Sequence, residues 1–150
     1  MNVAFEPLTG QRKVRITERH TMQDFAHCMK WLVDEVYPEA EFIRVILDNL
    51  NTHKPAALYV TFPPAEALRI LKKLVFHYTP KHGSWLNMAE IELSVYSRSL
   101  PKHIPNEMML SLNVEALTDE RNHVCKTVNW QFQTTDARIK LIKLYPSISV

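Results

Sequence analysis

Cysteine and glycine are scarce in this 150-residue chain, with two of each. Cys28 and Cys125 have no partner spacing for zinc and cannot supply a disulfide framework, so they read as reduced core or surface thiols. No Gly/Ser linker, internal repeat or low-complexity segment interrupts the chain, so no domain boundary is visible. No window approaches the roughly 18 apolar residues of a membrane span. Residues 1–10 carry Glu6 and Pro7 and lack a basic-then-apolar signal pattern, so a cytoplasmic location is expected. Charge of one sign is not in excess either. Eighteen Lys and Arg stand against sixteen Asp and Glu, and the net charge of +2 is too small to argue for a nucleic-acid partner. The seven histidines are scattered without metal-ligand spacing, which argues against zinc.

What is present suits one globular domain. Hydrophobic residues make up 46% of the chain and charged residues 23%, and the length suffices for one core. Residues 13–17 alternate like a strand. Thr21 is placed to cap a helix whose apolar positions, Phe25, Cys28, Met29, Leu32, Val33 and Val36, recur at helical spacing until Pro38. Residues 42–48 are nearly continuously apolar and β-branched, which predicts a buried central strand ending in Asp48. A polar run, 49–54, follows. Pro63 and Pro64 open a second helix over 65–74, and 75–78 form a short strand. Residues 79–85 read as a loop, 87–100 as a helix stopped by Pro101, and 105–121 as a fourth helix. A strand over 128–132 and a last helix, capped by Thr134 and running to 144, complete the pattern. Strands alternating with helices predict an α/β sheet with crossover helices.

Two acids occupy positions where chemistry is done. Asp48 closes the predicted central strand, and ligands of open α/β sheets bind at the carboxyl ends of strands. The competing reading is an Asp that caps the next turn. Glu90 lies in the first turn of the 87–100 helix, where the helix dipole alone would favour an acid. Glu92 follows two positions later and points to another face. Ile91, Val95 and Leu93 are the residues expected to point inward. A strand-end carboxylate and a helix carboxylate can together ligate Mg²⁺, which prefers oxygen donors and keeps waters for a phosphate. A third carboxylate would permit two ions about 4 Å apart to clamp a phosphodiester.

The blocks around these acids carry a resemblance. Leu47-Asp48-Asn49-Leu50-Asn51-Thr52-His53 and the string from Tyr78-Thr79-Pro80-Lys81-His82-Gly83-Ser84-Trp85 through Leu86-Asn87-Met88-Ala89-Glu90-Ile91-Glu92 resemble the two signature blocks of bacterial insertion-sequence transposases. These belong to the mariner-like DDE superfamily, and the similarity runs from about Phe5 to Pro146. The resemblance implies a ribonuclease H-like α/β domain of the DDE integrase/transposase type. It implies metal-dependent DNA strand cleavage and transfer in DNA transposition. It also implies that Asp48 and Glu90 are catalytic residues and ligands of Mg²⁺ (or Mn²⁺), with Glu92 left to support the helix or meet solvent. The implied partner is DNA, as transposon ends and target. A homodimer is the second partnership considered, and no membrane is expected.

The family's first catalytic Asp lies on a strand upstream of a segment like residues 3–8, and no acid here has that context. Asp24 and Asp34 fall in the predicted first helix, on a partly exposed face, and do not inherit the role. The chain is therefore expected to be a partial domain, truncated at its N-terminus and without the helix-turn-helix region. Whether it is an enzyme stays open, and the alternative is a catalytically inactive transposase remnant that folds, dimerises or binds DNA without cutting it. His53, Lys81 and His82 are the DNA-contact candidates. A Lys in the loop before Glu90 would neutralise phosphate, and His53 could instead orient a ligand or donate to Asp48. Trp85 reads as a loop anchor and Ser84 and Asn87 as helix-start residues. The basic groups Arg12, Lys13, Arg15, Arg19 and Arg138, Lys140, Lys143 read either as solvated faces or as DNA-facing surfaces.

Overall fold

The computed structural model describes residues 1–142 except 18, 49, 80–87, 126, 128–130 and 141. The chain opens with a hairpin. Strand β1 (Asn2–Glu6) runs antiparallel to β2 (Gln11–Arg15), with Val3 opposite Val14 and Phe5 opposite Arg12. Gly10 closes the connection with φ 69°, and its N–H bonds the Glu6 carbonyl at 2.9 Å. A Cβ here would sit 2.7 Å from the Cys125 carbonyl oxygen, so both the dihedral and the space call for glycine. The pattern of residues 2–6 is not amphipathic enough to announce β1, and β2 begins two residues before the expected strand.

Helix α1 (Met22–Trp31) starts where the capping signal lies. The Thr21 hydroxyl accepts from the Asp24 N–H at 3.2 Å, and the Asp24 carboxylate accepts from the Thr21 N–H at 2.9 Å. The helix runs on into one π-helical turn, Leu32–Val36, where the Tyr37 N–H reaches the Leu32 carbonyl at 2.9 Å. Asp24 is thus a capping residue. Asp34 pairs with both guanidinium nitrogens of Arg69 at 2.7 and 2.8 Å, a bond that holds its carboxyl below the ordinary value.

Strand β3 (Ile43–Leu47) leads through the polar run into helix α2 (Ala56–Thr61), helix α3 (Pro64–Lys73) and strand β4 (Leu74–Tyr78). β4 returns parallel to β3, with Ile43 opposite Leu74 and Leu47 opposite Tyr78. Parallel pairing requires such a crossover. α2 was not expected, because its six residues are too short for a periodic signal. The expectation of a buried central strand needs correction. Among the described residues β3 pairs only with β4, and its burial alternates, leaving Arg44 and Ile46 exposed. The physical reason is that packed residues cover one face alone. An apolar run reads as doubly buried even when half of it faces out.

Helix α4 (Met88–Ser99) packs on β1, and α5 (Glu107–His123) packs on β2. The Asn106 side chain caps α5 by accepting from the Met109 N–H at 2.9 Å. Helix α6 (Thr134–Lys140) includes Thr134 as a helical residue. The expected continuation to 144 lies largely outside the described residues, as does most of the expected strand 128–132, of which residues 131 and 132 are not in a strand. No described helix is long and apolar enough to cross a membrane.

The main core joins α1, α2, α3, β3 and β4 through Phe25, Met29, Leu47, Leu58, Ile70 and Leu74, and Ala4 of β1 packs against its margin. Leu58 and Ile70 are wholly buried, each contributing about 1.5–3 kcal/mol by leaving water. Ile70→Ala is expected to lower the urea-unfolding free energy by about 2–5 kcal/mol. Leu68→Ala, on the exposed face of the same helix, is expected to change it by about 0.5 kcal/mol or less. Equal losses at the two positions would contradict this core.

Candidate functional site

The parallel pairing of β3 and β4 brings their carboxyl ends to one edge, where the Thr79 N–H bonds the Leu47 carbonyl at 2.9 Å. Asp48 leaves the sheet there with its side chain 23% exposed. Its Oδ1 lies 2.5 Å from Nδ1 of His53. The polar run turns tightly to allow this, with the His53 N–H donating to the Leu50 carbonyl at 3.1 Å. The Tyr78 hydroxyl donates to the His53 carbonyl at 2.9 Å, and the imidazole lies 5.0 Å from the Phe25 ring centroid. Asp48 is therefore bound to a histidine ring, whereas the turn-capping reading called for a backbone N–H. Of the three roles open to His53, the contact observed is the one with Asp48. The adjoining Thr79 hydroxyl is buried and has no hydrogen-bond partner among the described residues, a polar atom left over beside the strand ends.

Glu90 stands exposed in the first turn of α4. Glu92 is buried, at 1% exposure. Arg12 grips it with Nε at 2.5 Å and Nη2 at 3.0 Å, and Nη2 of Arg121 meets both carboxylate oxygens at 3.0 and 3.1 Å. Arg12 also donates to the Gly10 carbonyl at 2.5 Å. Asn122 completes the lock. Its amide bonds the Arg12 backbone twice, accepting from the N–H at 2.8 Å and donating to the carbonyl at 2.9 Å. Burial alone would raise the Glu92 carboxyl, but the two guanidinium groups outweigh it and hold it below its ordinary value.

Of the two roles open to Glu92, support of the helix is the one observed, since the side chain does not meet solvent and anchors α4 internally. Two expectations change here. The inward face of α4 is Glu92 and Tyr96, one turn apart, whereas Ile91 is 38% exposed and Val95 and Leu93 are half-buried. The Tyr96 hydroxyl pairs with that of Thr118 at 2.7 Å. The first basic group is also not a single charged face, because Arg12 is fully buried. An ion pair between residues 80 positions apart leaves no local signal in the sequence. The one available hint was that Glu92 and Tyr96 share a helix face.

The structure joins Asp48 to His53. No hydrogen bond or ion pair among the described residues joins Asp48 to Glu90, and no group of three or more His, Cys, Asp or Glu side chains among them could hold a metal ion. Lys81, His82, Ser84, Trp85 and Asn87 lie outside the described residues, as does Lys143. The chemistry of the donors fits Mg²⁺ or Mn²⁺ nonetheless. Both acids supply hard oxygen atoms, Glu90 is exposed, and Oδ2 of Asp48 has no hydrogen bond among the described residues. Mg²⁺ is commonly held by one or two carboxylates, with water and phosphate completing its shell.

Compared with models of protein families, residues 1–110 match the DDE superfamily endonuclease. No curated protein and no solved structure matches the chain. This family implies a ribonuclease H-like fold, and the mixed α and β elements with small sheets are consistent with it. It also implies a DNA substrate and, in general, a divalent metal. Both candidate acids lie within the matched span.

The buried ion-pair cluster makes a stability claim. Glu92→Leu strands the Arg12 guanidinium among protein atoms, and a loss of about 3–5 kcal/mol is expected on chemical denaturation. Because the Glu92 pKa is lowered on folding, its contribution is present above the unfolded value of 4.5 and is lost as pH falls through the folded value. Thermal unfolding followed downward from neutral pH should show that acid limb in the native chain and a flatter one in Glu92→Gln. An unchanged limb in the variant would refute the assignment.

Proposed function

The chain belongs to the DDE superfamily endonuclease family, and on that premise we propose that Asp48 and Glu90 are metal-ligating carboxylates of a transposase-type site for DNA strand cleavage and transfer. The observation that carries the reading is the position of Asp48. It lies at the carboxyl end of a parallel strand, held on one oxygen by His53, with the other oxygen left without a hydrogen bond among the described residues. The likeness of both blocks to insertion-sequence transposases of the mariner-like branch supports the narrower reading.

In this proposal each acid has a defined support. Asp48 is carried by the β3–β4 edge. Glu90 is turned outward by the burial of Glu92 two residues on, since side chains two apart on a helix differ by about 200°. A bound Mg²⁺ or Mn²⁺ would polarise a phosphodiester and lower the pKa of an attacking hydroxyl or water. Lys81 and His82, in the sequence between β4 and α4, are proposed to meet the DNA backbone. Lys81 would neutralise phosphate as a point charge. A third carboxylate, supplied from outside these residues, would complete the two-ion clamp.

Mn²⁺ titration followed by paramagnetic broadening of amide signals tests the site. Asp48→Asn and Glu90→Gln are each expected to weaken binding by at least the roughly tenfold that losing even a group supporting a metal ligand typically costs. Glu115→Gln, on the exposed face of α5, is expected to change nothing. Broadening that survives both active-site variants would place the ion elsewhere. DNA affinity should fall linearly with salt on logarithmic axes, and Lys81→Ala should reduce the slope by about 1. Affinity indifferent to salt would exclude phosphate contact as its source.

A further inference from the structure

We infer that His53 is a positioning residue for Asp48, holding one carboxylate oxygen so that the other is presented to a divalent cation. This rests on the proposed metal site and assigns His53 a role within it that differs from contact with DNA. Three contacts from three parts of the chain hold the residue, two on its backbone and one on its ring. The turn fixes its backbone through the Leu50 carbonyl, at 3.1 Å from the His53 nitrogen. Tyr78, the last residue of β4, fixes the other side by donating its hydroxyl to the His53 carbonyl at 2.9 Å. Phe25 of α1 lies under the imidazole, with ring centroids 5.0 Å apart and planes inclined by 30°. With its backbone held at both ends and its ring against Phe25, the histidine offers Asp48 a fixed point of attachment.

The chemistry of the contact sets its direction. Nδ1 faces Asp48 Oδ1 at 2.5 Å. An ionised carboxylate only accepts, so with Asp48 ionised the bond requires the tautomer in which Nδ1 donates. The hydrogen bond occupies one of the two oxygens and removes the free rotation of a side chain that is 23% exposed. Groups that bond the ligands of a metal orient them in this way, and their loss typically weakens metal binding about 10–100-fold. The ring itself is 29% exposed and is bonded through the nitrogen nearest its own backbone.

That geometry yields a selective test in the 150-residue chain. The amide nitrogen of Asn reproduces the reach of Nδ1, whereas that of Gln reaches one bond further. In Mn²⁺ titrations, His53→Ala is expected to bind about tenfold or more weakly, His53→Asn to recover most of the loss, and His53→Gln to recover little. In the metal-free chain the Asp48 carboxyl ¹³C resonance should move in the Ala variant and return in the Asn variant. If the Ala variant fails to fold, the Asn and Gln variants carry the comparison alone. His53→Ala binding as the native chain does, while Asp48→Asn does not bind, would overturn the positioning role and leave the metal site standing. Asn as weak as Ala would transfer the effect to packing on Phe25 and also overturn it. Asp48→Asn binding like the native chain would overturn both.

Discussion

A carboxylate taken out of water between two guanidinium groups is the constraint on which one half of this molecule depends. Glu92 loses its hydration, and the Arg12 and Arg121 bonds offset that cost. Because Arg12 belongs to β2, Glu92 to α4 and Arg121 to α5, the cluster can form in one arrangement of those three elements. Asn122 extends it by bonding both backbone groups of Arg12. Rotation of α4 would pull the carboxylate from its partners and leave charges buried alone. The helix azimuth is therefore set by this cluster together with the buried ring of Tyr96 on the same face, while Ile91 remains substantially exposed.

This constraint reaches the proposed chemistry through a simple geometric link. Glu92 faces in, so Glu90 faces out, and a carboxylate facing out is available to a cation. Asp48 is made available by other means. It stands at the end of a strand whose backbone is held by β4, and a histidine holds one of its oxygens. The two acids are thus mounted on different supports, one on the β3–β4 edge and one on the helix that packs against β1. The proposed site draws on both supports, and they meet in the core to which both sheets contribute, through Ala4 on one side and Leu47 and Leu74 on the other.

Legibility followed the range of the interaction. The Thr21 cap, α1, α3, β4 and α5 could be read, because capping, helical periodicity and proline act over a few residues. Asp48 and Glu90 stood out because strand ends and helix first turns are local features, and because the blocks around them resemble a family. α2 and β1 were missed, being too short or too weakly patterned to stand above the background. β3 was overread as central. Its apolar run carried no information on how many neighbours it would have, and Arg44 was the residue that marked its open face. Arg12 was read as part of a surface group because charged residues are rarely buried unless paired, and its partner lies far along the chain.

The sequence by itself determined the local elements, the two acids worth attention and the family to which the chain belongs. Tertiary structure decided which carboxylate of the Glu90 and Glu92 pair is buried, and that His53 turns onto Asp48. The physical reason is the same in both cases. A charged side chain acquires its role from the partner that compensates its desolvation or directs its oxygens. The partner of Glu92 is 80 residues away, and His53 is held by Tyr78 at its backbone and by Phe25 at its ring, from elements on either side of it.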